Sequence, residues 1–212
     1  MNRLPGWVRQ HIAALRGLLV FTVLTGVLYP VVMWGVAQVA FHNQANGSLV
    51  SYQGHVVGSR LLCQEFVDAK GNPLPQYFQP RPSAAVNSTV KTDYGCDPLF
   101  SNGSQLGPTN PVLVKDIKTR QQQIAAFDHV KISQIPPDAV TASASGLDPA
   151  ISPQYAYLQV NRVAAARHVP AAAVRALVTS FIQGRTLGFL GEPTVDVLTL
   201  NIALDEQFPL GR

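Results

Sequence analysis

Carboxylates are scarce in this chain. Aspartate and glutamate number 12 among 212 residues, against 16 lysines and arginines, so the net charge is +4 and only 13% of residues are charged. The basic residues stand singly, with no basic run and no basic face interleaved with aromatics, and this speaks against a nucleic-acid partner. The positive balance reflects missing acids rather than a polyanion to be bound. Cysteine is nearly absent, with only Cys63 and Cys96, and neither sits in a C-x-x-C. Also missing are H-E-x-x-H, an EF-hand loop, a G-x-x-x-x-G-K-S/T phosphate loop and a Rossmann fingerprint. No sequence motif therefore supports a metal centre, a phosphate-loop nucleotide hydrolase or a dinucleotide enzyme.

Charge is absent altogether from Gly17 to Phe41, "GLLVFTVLTGVLYPVVMWGVAQVAF". At ~1.5 Å per residue this run makes roughly 35 Å of helix, enough to cross a ~30 Å hydrocarbon core with some tilt. Lipid offers no partners to backbone polar groups, so such a span is helical. Pro30 is expected to kink it. Thr22, Gly26, Pro30 and Gly35 offer close-approach points to neighbouring membrane helices, although glycine and proline are also simply common in such helices. The run exceeds the apolar core of a cleaved signal peptide, and "VAQVAFHNQ" lacks a clean A-x-A site.

Arg3, Arg9 and Arg16 precede the run, and no lysine or arginine follows until Arg60. The positive-inside rule then places the N-terminus in the cytoplasm. The expected organisation is a short cytoplasmic segment over 1–16, a transmembrane helix over 17–41 and an extracytoplasmic α+β domain over 42–212. Two cysteines on an oxidising side leave two readings open, one Cys63–Cys96 disulfide or two unpaired small residues.

Beyond the helix, "HVVG" and "RLLCQEF" read as two short strands. Residues 68–111 are rich in Gly, Pro, Ser and Asn but carry Tyr77, Phe78, Tyr94 and Phe100, which predicts an ordered loop layer. Asn110 and Pro111 start a helix with Leu113, Ile117, Ile124 and Phe127 on one face. Ser152 and Pro153 start a second, burying Ala156, Val160 and Val163. A third begins at Pro170, with Val174, Leu177, Val178 and Phe181 at helical spacing, and stops at Gly184. "TVDVLTL" alternates as a strand through Val195, Val197 and Thr199.

One loop looks chemical: "VTASASGLDPAISPQ", Val140 to Gln154. Ser143 or Ser145 could serve as the nucleophile of an anchored exterior serine hydrolase. Yet "ASASG" lacks the first glycine of a nucleophile elbow, and no histidine stands in a partnering context. Ser152 and Pro153 are explained by helix initiation, and Gly146 with Asp148–Pro149 by turns. "NGSQLGPTN" opens a helix and could face an anion, but it lacks the lysine of a phosphate loop and reads as a helix lead-in. An anchored small-ligand binding module is the remaining alternative.

Taken in order, "TGVLYPVVMWGVAQVAF", "NQANGSLV", "GSRLLCQEF", "YFQPRPSAA", "SNGSQLGPTNP", "VTASASGLDPAISPQYAYLQVNRVAAAR" and "GRTLGFLGEPTVDVLTLNIALD" resemble the C subunit of the bacterial Kdp potassium-transporting ATPase, from about Thr25 to Asp205. The resemblance implies an accessory subunit, not itself catalytic, in the bacterial inner membrane. Its implied partners are a channel-like A subunit, a P-type ATPase B subunit and a small F subunit, with ATP and potassium handled by the complex. The D-K-T-G phosphorylation motif is absent. The family is described as a catalytic chaperone that raises the ATP affinity of the B subunit, with the glutamine here numbered Gln154 linked to nucleotide and "SNGSQ" similar to an ABC-transporter signature. An exterior domain cannot touch cytoplasmic ATP, so Gln154 is expected to be a surface residue and the effect on ATP to be indirect. Val140 to Gln154 and Tyr77 to Ala84 would brace the domain or contact the A subunit. Arg81 is not expected to ligate potassium, which its charge would repel. Cys63 stands where the family commonly has glycine, and "DYGCDP" lies outside the family's core pattern.

Overall fold

The computed structural model describes residues 5–87, 89 and 94–210. Arg3, one of the arginines used for orientation, and Asp93 of "DYGCDP" lie outside them. The chain separates into two compact units, one ending at Ser48 and one starting at Leu49.

The first unit is helical from Gly6 to Ala40. It comprises α1 (Gly6–Val23), a wide turn (Leu24–Leu28) and α2 (Tyr29–Ala40). Helix thus begins well before the apolar run, through the amphipathic stretch that carries Arg9 and Arg16. Pro30 disturbs it as its chemistry requires: it has no N–H for the carbonyl four residues back. The adjustment is a π-turn, in which the Tyr29 N–H donates to the Leu24 carbonyl five residues back. Thr25 Oγ1 donates to the Phe21 carbonyl at 2.7 Å beside it. No residue of the long helix is buried by this chain. A one-turn α3 (His42–Ala45) closes the unit. There the Asn46 side chain donates to the His42 carbonyl at 2.6 Å and to Gln38 Oε1 at 3.1 Å.

In the second unit, β1 (Leu49–Tyr52) and β2 (His55–Ser59) form an antiparallel hairpin with a register slip between Val50 and Ser51. "HVVG" is indeed a strand, but its partner is "LVSY". "RLLCQEF" is not a strand: it leaves the hairpin and is held by single bonds, such as the Cys63 N–H to the Leu147 carbonyl at 3.0 Å. Residues 68–110 form the loop layer, in which the only pairing among the described residues is an isolated bridge between Val67 and Pro73 at its start.

α4 (Pro111–Asp128) starts as its caps dictate, with Asn110 Oδ1 accepting from the Val112 N–H at 2.9 Å. Its apolar face is half-buried, at the edge of the core. A 3₁₀ turn (Ile132–Gln134) and α5 (Pro137–Val140) lead to β3 (Ala150–Ile151). α6 (Pro153–Ala166) and α7 (Ala171–Ser180) follow, then β4 (Ile182–Gln183), β5 (Thr194–Asp196) and α8 (Val197–Gln207). The second sheet is antiparallel in the order β3-β5-β4, and the architecture is α+β.

The core gathers Ala156, Val160 and Val163 of α6, Val174, Leu177 and Val178 of α7, Leu200 and Leu204 of α8, and Phe78 from the loop layer. Two sequence expectations are corrected. α7 ends at Ser180, with its last bonds closed at Phe181, because the chain must turn there to pair β4 with β5; Gly184 is no helix cap. "TVDVLTL" is a strand only as far as Asp196. The Asp196 carboxylate accepts from the Thr199 N–H at 2.7 Å and caps α8, so Val197 and Thr199 are helical.

Candidate functional site

The loop from Val140 to Gln154 is built around its own backbone. Ser143 is buried, and its N–H donates to the Pro82 carbonyl at 3.0 Å. Ser143 Oγ accepts from the Gly146 N–H at 3.1 Å, and Ser145 Oγ from the Leu147 N–H at 3.1 Å. The two hydroxyls lie 3.3 Å apart. Among the described residues their hydrogen bonds are to each other and to the backbone of their own turn, not to a nucleophile-activating base. The Gly146 carbonyl accepts from Ser83 Oγ at 2.7 Å. Asp138 receives both the N–H and the hydroxyl of Ser152, at 2.8 and 2.9 Å, while Ser152 Oγ accepts from the Tyr155 N–H. The serines and Asp148 of this loop, with Asp138 just before it, set turns and start a helix.

This assignment has a direct consequence. Gly146 has φ +72°, and a Cβ there would sit 2.5 Å from the Asn102 carbonyl oxygen and 2.7 Å from Ala85 Cβ. Gly146→Ala should lower stability by at least about 2 kcal/mol. Ser145→Ala should cost no more than about 1 kcal/mol and leave transport intact. Thermal unfolding and potassium uptake check the pair, and loss of transport by a stably folded Ser145→Ala chain would restore the nucleophile reading.

Arg81 pairs with Asp148 at 2.9 Å, and its Nη2 approaches the Thr141 carbonyl at 3.5 Å. Its charge is thus answered inside the domain. Cys63 and Cys96 are joined as a disulfide with Cα atoms 5.4 Å apart, which ties the loop layer to the segment leaving β2. Gln154 is the second residue of α6 and is exposed.

The most concentrated polar chemistry involves residues that sequence reasoning did not single out. Residues 75–79, "PQYFQ", pair with no strand, yet side chains from α6 and α8, and Arg167 just after α6, grip them. Arg162 of α6 donates through Nη1 to the Pro75 and Tyr77 carbonyls, at 2.6 and 2.9 Å. Its Nε reaches Asp128 Oδ1 of α4 at 2.7 Å, its Nη2 reaches Gln159 Oε1 at 2.6 Å, and its guanidinium lies over the Phe127 ring. Gln159 brackets the backbone of Gln79, accepting from its N–H at 2.7 Å and donating to its carbonyl at 3.1 Å. Asn201 of α8 does the same for Phe78, at 2.9 Å both ways. Arg167 donates to the Gln76 and Phe208 carbonyls and to Asp205 at 2.6 Å, beneath Tyr77. Side chains here replace a sheet ladder, because buried backbone groups must be paired by something. The one sequence signal was polar Gln159 and Arg162 among the apolar positions of α6.

Electrostatics follow burial. The Asp128 carboxyl is held above the usual carboxylate range by burial, against the opposing pull of Arg162. Burial likewise pushes the Tyr155 and Tyr77 hydroxyls up. A cleft of ≈ 270 Å³ lies along α4, lined among others by Gln79, Arg81, Arg120, Phe127, Asp128 and Tyr155. Within it Arg120 is engaged with the Val140 carbonyl and Asp128 with Arg162. Among the described residues no group of three or more His, Cys, Asp or Glu is placed to hold a metal ion.

A helix long and apolar enough to cross a membrane, followed by an α+β domain whose polar interior is bonded to its own backbone, defines the class of protein. Residues 11–206 match the family described as KdpC, the c chain of K+-transporting ATPase, and the chain belongs to that family. It is 46% identical over 204 residues to the potassium-transporting ATPase KdpC subunit of Beijerinckia indica, covering 96% of this chain and 97% of that one. It is 50% identical over 188 residues to the KdpC subunit of Sorangium cellulosum, covering 89% and 93%. The chain is therefore a component of a potassium pump, and its apolar helix fits a place in the membrane.

Proposed function

We propose that the chain is a non-catalytic accessory subunit that stabilises the pump and promotes ATP binding by the hydrolysing B subunit indirectly. The observation that carries this reading is the helix from Gly6 to Ala40, apolar over most of its length and with none of its residues buried. Lipid and neighbouring membrane helices are its natural surroundings. The channel-like A subunit, the P-type B subunit and the small F subunit are the proposed neighbours, with ATP and potassium bound by the complex. Arginines before the helix favour a cytoplasmic N-terminus and a periplasmic domain in the bacterial inner membrane, and the Cys63–Cys96 pairing suits that oxidising side. On this topology Gln154 does not touch nucleotide. Any effect on ATP is a coupling free energy carried by the membrane helices.

Pull-down of the tagged full-length chain in detergent from potassium-starved cells should recover a channel-like polypeptide and a P-type ATPase. Recovery of the chain alone, in a detergent that preserves other complexes, would overturn the reading. In the purified complex, Gln154→Ala should leave the ATP dependence of hydrolysis within about twofold. A direct hydrogen bond to nucleotide would instead demand a shift of roughly tenfold.

A further inference from the structure

Between β4 and β5 the chain runs out into a hairpin, and every residue from Gln183 to Glu192 is exposed. Leu187, Phe189 and Leu190 at its tip are 79%, 69% and 50% exposed. The hairpin is nevertheless closed: Thr186 and Leu190 exchange backbone hydrogen bonds at 2.9 Å in both directions, and the Gly188 N–H donates to the Arg185 carbonyl at 3.0 Å. Arg185 and Glu192 pair across its base at 2.8 Å. At the turn, Leu187 (φ +55°) and Gly188 (φ +81°) are both left-handed. That geometry suits the two central residues of a tight hairpin turn, but glycine or asparagine adopts it more readily than leucine. Leucine is the wrong residue for this backbone, and its side chain is not packed against the domain to compensate. A strained residue with an unburied apolar side chain points to a contact outside the chain.

We infer that the 185–192 hairpin is a docking knob whose Leu187, Phe189 and Leu190 fill an apolar pocket on another polypeptide of the same pump. The inference rests on the chain's being a subunit of that pump. Three observations favour a protein pocket over the bilayer surface. The hairpin's only two charges face each other and cancel, so nothing steers it toward anionic headgroups. It has no Trp, Tyr or Lys of the kind that anchors loops at a membrane interface. Its tip presents one aromatic and two aliphatic side chains on a turn closed by backbone hydrogen bonds, the form of an anchor that enters an apolar pocket at little backbone entropic cost.

The test places p-benzoylphenylalanine at position 189 of the tagged full-length chain, expressed with the whole pump and irradiated in membranes. The expected result is an adduct that peptide mapping assigns to another pump polypeptide. If the complex co-purifies but the adduct is to lipid, to a second copy of this chain, or absent, the knob is overturned while the subunit role stands. If the unmodified chain brings down no pump polypeptide, both fall. A second arm uses Leu187→Gly, which removes the side chain at a φ that glycine adopts freely. Its thermal midpoint should not fall, while recovery of complex in detergent should drop roughly tenfold. Undiminished recovery would also overturn the proposal.

Discussion

Arg162→Met is expected to cost about 3–5 kcal/mol, a large share of a typical domain's stability. The substitution keeps bulk and apolar contact with Phe127 but removes every donor of the guanidinium. Asp128 is left buried without its 2.7 Å partner, and the Pro75 and Tyr77 carbonyls lose their bonds to Nη1. The deficit should depend on pH in a defined direction. Burial already holds the Asp128 carboxyl above its ordinary value of 3.8 in the folded chain, with Arg162 pulling it back down. The native state therefore binds that proton more tightly than the unfolded chain does. The group's contribution is fully present below the unfolded value and is lost as pH rises through the folded one. Without Arg162 the folded value climbs further, so the deficit of Arg162→Met is largest near neutral pH and shrinks on acidification. Unfolding of the full chain in detergent, followed by circular dichroism across pH, measures both effects. A neutral-pH loss below about 1 kcal/mol would mean that the clamp on residues 75–79 is not what holds the loop layer.

The second large effect lies in the other unit. Val32→Arg puts a charge into the apolar half of the helix, where arginine is disfavoured relative to valine by about 3–4 kcal/mol on insertion scales. Neither the helix nor its flanks offers a partner charge between Arg16 and Arg60. Membrane fractionation should show the chain reduced by more than tenfold in the membrane, and potassium uptake should fail with it. Val32→Leu should behave as the parent. Full membrane recovery of Val32→Arg would mean that this helix is not lipid-exposed at its centre.

Helix starts were legible because proline and its cap act within one turn. Asn110–Pro111 and Ser152–Pro153 are local devices, and the structure uses both as read. α8 was missed because Asp196 is at once the last residue of β5 and the cap of the helix. Seven residues of alternation concealed the change from a period of two to a helical one. The polar clamp was illegible for another reason. Arg162 meets a carbonyl 87 residues away and Asn201 meets Phe78 across 123, and no local pattern encodes such pairings. The serine-rich loop shows the opposite error a reader is tempted into. Its hydroxyls resemble chemistry in one dimension and prove to be turn bonds in three.

The π-turn at Leu24–Leu28 closes its bond over five residues where an α-turn closes over four. A surplus residue advances the winding by about 100°. Positions after the turn, such as Pro30 and Gly35, are therefore not aimed as an ideal helical wheel would place them relative to Thr22 before it. Whatever helices flank α1 and α2 meet two differently aimed surfaces. Deleting one residue between Leu24 and Leu28 would swing one surface against the other without altering a single side chain on either.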